Sequence, residues 1–367
     1  MEYESLKRVY IILVNWNGWR DTIECLESLF RSDYPDFRVV VCDNGSDDDS
    51  LERIKSWADG CLSTEVAPDS PLYQLSHPPV PKPINCFEYF GVDAVPGGAA
   101  SQQPPLVQIR ITTNLGFAGG NNVGLRYALA QEDFSHAWLL NNDTVVDPHA
   151  LTAMVQRMEG KPDAGMCGST LLYYERPDRV QALGGGWHCR WLGLPWHYGR
   201  FCKRFESIKP LKAEARMNYV EGASLLVSKQ FLEEIGLMCE DYFLFFEETD
   251  WAIRALGRYT LAYAPQSVVY HKVGASIGTS SKPWEKSYLC DYFSVRNRLF
   301  FTRRYYPHAF PAVYLTLIAT LFARVILGKW DRVQMIIRLL AGNYETPLDQ
   351  VLPQIQSDYN GSNDAQR

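Results

Sequence analysis

The sequence has 367 residues, 46% of them hydrophobic, with a formal net charge of -6 and a pI near 5.7. That is enough apolar material for a sizeable core, and the absence of overall basic character argues against a protein that coats nucleic acid, so any anionic ligand has to be held locally. Nine scattered cysteines, with no Cys-x-x-Cys pair and no zinc-type Cys/His spacing, argue against a disulfide framework or a structural zinc and fit a reducing cytosol.

Residues 1–8 are charged and run directly into a strand without the apolar stretch of a signal peptide, which is expected of a cytoplasmic protein. Residues 9–14 read as a buried strand, and 21–30 as a helix with Ile23, Leu26, Leu29 and Phe30 on one face. A second strand is predicted over 38–42 and a helix over 51–57. Residues 59–105 carry nine prolines and read as a long surface insertion, with a disordered linker as the alternative. Residues 106–112 then predict a strand, 120–129 a helix and 137–140 a fourth strand. This βαβα order predicts an α/β fold whose mostly parallel central sheet is flanked by helices, with ligands beyond the carboxyl ends of the strands.

The stretch 165–216 is rich in Gly, Trp, Tyr and His; strand-like runs follow at 219–228 and 259–271, around a short helix starting near Glu248. From 291 to 340 eight basic residues against two acidic ones flank an apolar run over 310–323. That run is short for a membrane span and is bracketed by Pro311 and Arg324. With Arg296, Arg298, Arg303, Arg304, Lys329, Arg332 and Arg338 around it, the region reads as an amphipathic segment on an anionic membrane surface. A buried helix pair with a solvated basic face is the alternative. A polar tail, 346–367, ends the chain.

Four predicted strands end on polar residues: Asn15-Trp16-Asn17-Gly18, Asp43-Asn44-Gly45-Ser46, Asn114-Leu115-Gly116 and Asn141-Asn142-Asp143. Any one of these is an ordinary turn; four at one edge of a parallel sheet point to a binding site. Gly116–Gly120 matches neither a dinucleotide fingerprint nor a phosphate loop, which disfavours dehydrogenase and kinase readings. Glu247, Glu248 and Asp250 cluster where a helix begins; such carboxylates either act as a base or cap the helix, and Asp250 is spaced to pair with Arg254. Trp187, His188 and Trp191 offer flat faces that suit sugar rings, with core packing the alternative.

The ordered set Val14-Asn15-Trp16-Asn17-Gly18, Asp43-Asn44-Gly45-Ser46, Asn114 to Asn122 and Asn141-Asn142-Asp143 resembles family 2 glycosyltransferases of the GT-A fold, in particular the rhamnosyltransferase and galactofuranosyltransferase branch. The resemblance implies a GT-A domain over 1–278 with the 59–105 insertion inside it, and a C-terminal helical extension over 279–345. It implies nucleotide contacts from Val14, Trp16, Asn17, Asp43, Asn114 and Asn142. A divalent metal, Mg2+ or Mn2+, is implied at Asp143, Asn141 and His271, with Asn141 departing from the family's Asp-x-Asp pattern. Glu248 matches the base position, which is more usually Asp, with Glu247 and Asp250 beside it. Trp187, His188 and Trp191 are expected at the acceptor. The implied reaction is inverting transfer of a sugar, rhamnose from a dTDP donor first and a galactofuranosyl or other hexosyl unit from a UDP donor second. The acceptor is a hydroxyl of a glycan or lipid-linked molecule, and the setting is the inner face of the cell membrane. No nucleic-acid partner is expected. A non-catalytic carbohydrate-binding protein of the same fold is a further alternative, left open by Asn141.

Overall fold

The computed structural model describes residues 8–91, 104–203, 209–273 and 287–343; the polar tail lies outside them. The first half of the chain runs β1 (Val9–Asn15), α1 (Trp19–Leu29), β2 (Phe37–Asn44), α2 (Ser50–Ala58), α3 (Tyr73–Ser76), β3 (Cys86–Phe90), β4 (Leu106–Ile111), α4 (Gly116–Gln131) and β5 (His136–Asn141). It continues through β6 (Thr144–Val146), α5 (Ala150–Glu159), β7 (Ala164–Tyr173), β8 (Arg176–Leu183), β9 (Gly185–Cys189), β10 (Leu194–His197) and α6 (Pro210–Glu214). Then come β11 (Tyr219–Val220), β12 (Ser224–Ser228), α7 (Lys229–Ile235), α8 (Glu247–Arg254) and β13 (Thr260–His271), followed by α9 (Tyr288–Tyr305), α10 (Phe310–Ile326) and α11 (Trp330–Leu340).

The fold is mixed α/β, with a large central sheet in the order β9-β8-β7-β12-β5-β1-β2-β4-β3. From β5 to β3 neighbouring strands are parallel, and β12 joins β5 and β7 antiparallel. β1 is apolar from Val9 to Leu13 because both its faces are covered. Tyr10 and Ile12 enter one core with Val123, Tyr127 and Ala128 of α4. Val9, Ile11 and Leu13 enter the other with Ile23 and Leu26 of α1 and Ile54 and Trp57 of α2. The period of two along the strand thus feeds two helical layers.

α4 starts four residues before the predicted helix. Its glycine-rich first turn reads as loop, but the Gly116 N–H donates to Asn114 Oδ1 at 2.9 Å, and a Cβ on Gly120 would lie 2.8 Å from Val14 Cγ1. The glycine therefore lets the helix approach the end of β1. In the stretch 165–216, four strands, β7 to β10, run from Ala164 to His197. Small residues hide the pattern in β7, where a Cβ on Gly168 would meet the Gly184 carbonyl oxygen at 1.9 Å.

The insertion is anchored to the sheet. β3 adds to the outer edge of β4 in parallel register, from Cys86 opposite Leu106 to Phe90 opposite Arg110. The buried Glu27 carboxylate accepts from Trp57 Nε1 at 2.8 Å, from the Val80 N–H at 2.8 Å and from Lys82 Nζ at 3.0 Å. Glu27→Leu would leave these three donors buried around no acceptor, so it should lower unfolding free energy by about 3–5 kcal/mol. Chemical denaturation measures this, and a loss under about 1 kcal/mol would contradict the anchoring role.

The chain divides into two compact units. The larger comprises Met1–Trp187, His197–Glu240 and Glu248–Lys272. The smaller comprises His188–Trp196, Asp241–Glu247 and Val273–Arg367, so the C-terminal helices recruit two short segments from the middle of the chain. Inside it, α10 and α11 pack on α9, and Arg324 pairs with Asp291 at 2.7 Å, both buried. Arg298 is also buried and donates to the Leu192 carbonyl at 2.8 Å, with burial pulling its pKa down to about 10. Of the basic residues expected to surround the apolar run on a membrane surface, Arg298 is therefore interior, whereas Arg303, Arg304, Lys329 and Arg338 are exposed.

Candidate functional site

The polar strand ends do converge, and their side chains interlock. Asn142 Nδ2 donates to Thr22 Oγ1 at 3.0 Å, Thr22 Oγ1 donates to Asn15 Oδ1 at 2.9 Å, and Asn15 Nδ2 donates to Asp43 Oδ1 at 2.7 Å. Ser46 Oγ donates to the same Asp43 oxygen at 2.6 Å and accepts the Asn17 N–H at 2.9 Å. Asn44 Nδ2 donates to Asn114 Oδ1 at 2.9 Å, which ties in the end of β4. Val14 sits in register with Cys42 and Asn141, and Trp16 is half-buried just past β1. Burial pushes the Asp43 carboxyl above its ordinary value, against the bonds from Ser46 and Asn15 that favour the anion. Asn142 is a correction: its side chain is buried and its amide nitrogen is turned inward onto α1, so the contact it makes braces the loop.

Asp143, Asn141 and His271 lie together, because β13 pairs with β6 so that His271 stands opposite Thr144, one residue after Asp143. His271 Nε2 is 3.1 Å from Asp143 Oδ1, and Asn141 Nδ2 is 3.4 Å from the same ring nitrogen. A half-turn about the Cβ–Cγ bond of Asn141 exchanges the positions of its amide nitrogen and oxygen. Asp143 and His271 are only 5% and 7% exposed. Burial alone would raise the Asp143 carboxyl, but the charge and hydrogen bond of His271, with Lys272 beyond, hold it below its ordinary value. Burial would lower His271, but Asp143 and then Glu221 hold it above its ordinary value.

Several partners escape sequence reading because they come from distant elements. Gln181 Oε1 on β8 lies 2.9 Å from His271 Nδ1, so an Nδ1–H donated there leaves Nε2 facing Asp143 for a proton or a cation. Lys272 Nζ reaches Asp21 at 2.5 Å and Glu24 at 2.6 Å on α1, and these anions raise its pKa despite burial. Glu221 sits 3.2 Å from His197 in the turn after β11, and two residues on the Ala223 carbonyl accepts the Asn141 N–H at 3.0 Å. A cavity of about 500 Å³ lies beside Lys272, lined by Glu24, Glu65, Asp69, Tyr174 and Glu175 among others.

Among the described residues no three His, Cys, Asp or Glu side chains converge as a full metal cage. The buried carboxylate and imidazole at 3.1 Å, with an amide alongside, nevertheless fit a divalent ion that takes its other ligands from phosphate oxygens and water.

Of the three carboxylates around the start of α8, only Glu248 is partly exposed. Asp250 is fully buried and accepts from Arg254 Nε at 2.8 Å, and Arg254 also donates to the carbonyls of Ile235 and Leu237. Asp250 thus anchors its own helix through Arg254. Glu247 is buried. His188 is a second correction: it is 3% exposed and packed against Phe246, Phe301 and Tyr306, and burial and Arg298 lower its pKa to about 4. It belongs to the core of the smaller unit and presents no face to a sugar. Trp187 and Trp191, in contrast, are 49% and 47% exposed.

The sequence profile described as glycosyltransferase like family 2 matches residues 96–290, more than half of the chain, and that of glycosyl transferase family 2 matches residues 10–67. An uncharacterized protein of Mycobacterium tuberculosis is 31% identical over 34% of this chain and 40% of its own length. The low-salt glycan biosynthesis hexosyltransferase Agl10 of Haloferax volcanii is 23% identical over 39% of this chain and 43% of its own. The matches thus span less than half the length of these curated relatives. Among solved structures, a mannosyltransferase from Pyrobaculum calidifontis in complex with GDP-Man and Mn2+ aligns over 92% of this chain and 87% of that chain, with TM-score 0.49 and 15% identity. By its strand-end motifs and the family match over most of its larger unit, this chain belongs to glycosyltransferase like family 2.

Proposed function

We propose that the chain is an inverting glycosyltransferase that moves a hexosyl unit from a nucleoside diphosphate donor onto a hydroxyl of a glycan or lipid-linked acceptor. The observation that carries this reading is the buried Asp143–His271 pair at the end of a strand, beside a row of interlocked strand ends. In this reading Trp16, Asn17, Asp43 and Asn114 frame the nucleotide, and Asp143 and His271, with Asn141, hold Mg2+ or Mn2+. When bound there, such an ion would supply positive charge to offset the charge gathering on the departing diphosphate. Glu248 accepts the acceptor hydroxyl's proton as the new bond to the anomeric carbon forms and the bond to the diphosphate oxygen breaks, the electron pair leaving with the diphosphate. Trp187 and Trp191 each offer an exposed ring for an acceptor sugar.

The hexosyl assignment agrees with the name of the Haloferax relative. L-rhamnose from a dTDP donor is the first sugar proposed, on the motif resemblance, and a galactofuranosyl or other hexosyl unit from a UDP donor the second. The test is to incubate dTDP-L-rhamnose, UDP-galactofuranose and UDP-glucose with hydroxyl acceptors and Mn2+, and to read the anomeric configuration of the product by NMR. An inverted product is expected. A retained one, or no nucleoside diphosphate released from any donor, would contradict the reading.

We further propose contact with an anionic membrane surface at the cytoplasmic face. The helical run Pro307–Ile326 is by length and composition apolar enough to cross a membrane, longer than the sequence pattern implies, and about a fifth of its most apolar stretch is buried. Val313 and Leu317 pack inward, while Leu315, Phe322 and Ile326 form an exposed apolar stripe that leads to Trp330. A helix packed on one side and apolar on the other suits the interface better than a span. Changing Arg303 and Arg304 together to Glu should weaken sedimentation with phosphatidylglycerol vesicles by about tenfold or more, and raised salt should do the same. Binding indifferent to both changes would contradict surface docking.

A further inference from the structure

The segment 241–246, which leads into α8, is backbone that cannot hold its shape unaided. Phe243, Phe245 and Phe246 all have positive φ, at 63°, 68° and 77°, a region that L side chains rarely adopt. At Phe243 the chain makes a tight turn closed by the Leu244 N–H to the Tyr242 carbonyl at 2.7 Å. No glycine relieves this run. What holds it is a side chain from α9, more than fifty residues later.

Asn297 is fully buried, and its Nδ2 lies 2.9 Å from the Tyr242 carbonyl, 2.7 Å from that of Leu244 and 3.1 Å from that of Phe245. Its Oδ1 accepts from Arg296 at 2.8 Å, which sets the amide with its donors toward the loop, and Arg296 also donates to the Asp241 carbonyl at 2.6 Å. Two neighbouring side chains of α9 thus grip four of the five carbonyls from 241 to 245. The rings add to the grip: Phe243 stacks on Phe293 at 4.8 Å, and Tyr242 meets Phe300 edge-on at 5.3 Å.

We propose that Asn297 is a positioning residue for Glu248: by pinning the strained run before α8, it sets where the helix begins and hence where its second residue directs its carboxylate. The inference rests on the reading of Glu248 as the base. A base must stand within hydrogen-bond reach of the proton it takes, and displacement by about 1 Å from a change far from the chemistry can cost about a hundredfold in rate.

The experiment compares Asn297→Ala, Asn297→Asp and Glu248→Gln with the parent and with Asp291→Asn, a change on the same helix as Asn297 that weakens the buried pair to Arg324 of α10 without touching the loop. Each is scored for Tm, for affinity toward UDP and dTDP with Mn2+, and for release of dTDP from dTDP-L-rhamnose and of UDP from UDP-galactofuranose. Asn297→Asp keeps size and the partner for Arg296 but turns an acceptor toward the carbonyls. Both Asn297 variants should lose about a hundredfold in kcat with nucleotide affinity intact, while Asp291→Asn lowers Tm comparably and keeps kcat. An Asn297→Asp variant as active as the parent, or a kcat loss shared by Asp291→Asn, would overturn the proposal. Glu248→Gln with parental kcat would instead sink the base assignment. If the Asn297 variants do not fold, Arg296→Ala releases the amide from its anchor and should cut kcat about tenfold; unchanged kcat there overturns the proposal.

Discussion

Asp143→Asn is expected to abolish Mn2+-dependent binding of a nucleotide sugar and to lower turnover by about a hundredfold or more, a loss at least as large as that from removing an outer partner of a metal ligand. The amide preserves shape, which matters because Asp143 is buried against His271 and breaking a buried pair outright costs about 3–5 kcal/mol. Asp143→Ala should therefore lose stability as well as binding, and the asparagine variant separates the two. With the carboxylate gone, His271 keeps Gln181 on Nδ1 and loses the anion that raises its pKa. Calorimetric titration of Mn2+ and dTDP, alongside a thermal melt, checks this. Binding equal to the parent's in a folded Asp143→Asn protein would remove Asp143 from the proposed metal site.

Glu248→Gln should reduce turnover by about a hundredfold or more while nucleotide-sugar affinity survives. An acceptor hydroxyl does not ionise at neutral pH, so some group has to take its proton as the bond to carbon forms, and glutamine cannot. Glu248 is the only partly exposed member of the three carboxylates around the start of α8, and its charge acts on the buried Tyr219 hydroxyl, whose pKa burial chiefly raises. Asp250→Asn should behave differently. It weakens the bond to Arg254, which in turn holds the carbonyls of Ile235 and Leu237, so it lowers stability with little effect on kcat in the fraction that remains folded. Turnover lost in Asp250→Asn at full stability, with Glu248→Gln active, would move the base by two residues.

The parallel half of the sheet is legible in the sequence because β1, β2 and β5 are mostly apolar runs that end on Asn, and β4, with Gln108 and Arg110 inside it, is followed three residues on by Asn114, so strand pattern and turn chemistry agree there. β7 is not legible, since Gly165, Gly168 and Ser169 are chosen for close approach and hydrogen bonding and dilute its pattern. β3 is missed because prolines before it outweigh five residues of edge strand. In the site, residues adjacent in sequence are easy to group, as with Asn141-Asn142-Asp143, but their orientation is not: Asn142 turns inward and Asp250 pairs locally. Gln181, Glu221 and Asn297 have no local signature. They matter through contacts 52 to 90 residues away in the chain, or through charge, and only the folded pairing reveals them.

The central claim is a metal-dependent nucleotide-sugar site at the ends of β1, β2, β4 and β5. Its most direct test is calorimetric titration of dTDP-L-rhamnose, UDP-galactofuranose and UDP-glucose into the parent protein, with Mn2+ and then with EDTA. At least one of these donors should bind with Mn2+ present and be lost on chelation, and Asp143→Asn should reproduce the chelated result. No donor binding under either condition, or binding that ignores both EDTA and Asp143, would contradict it.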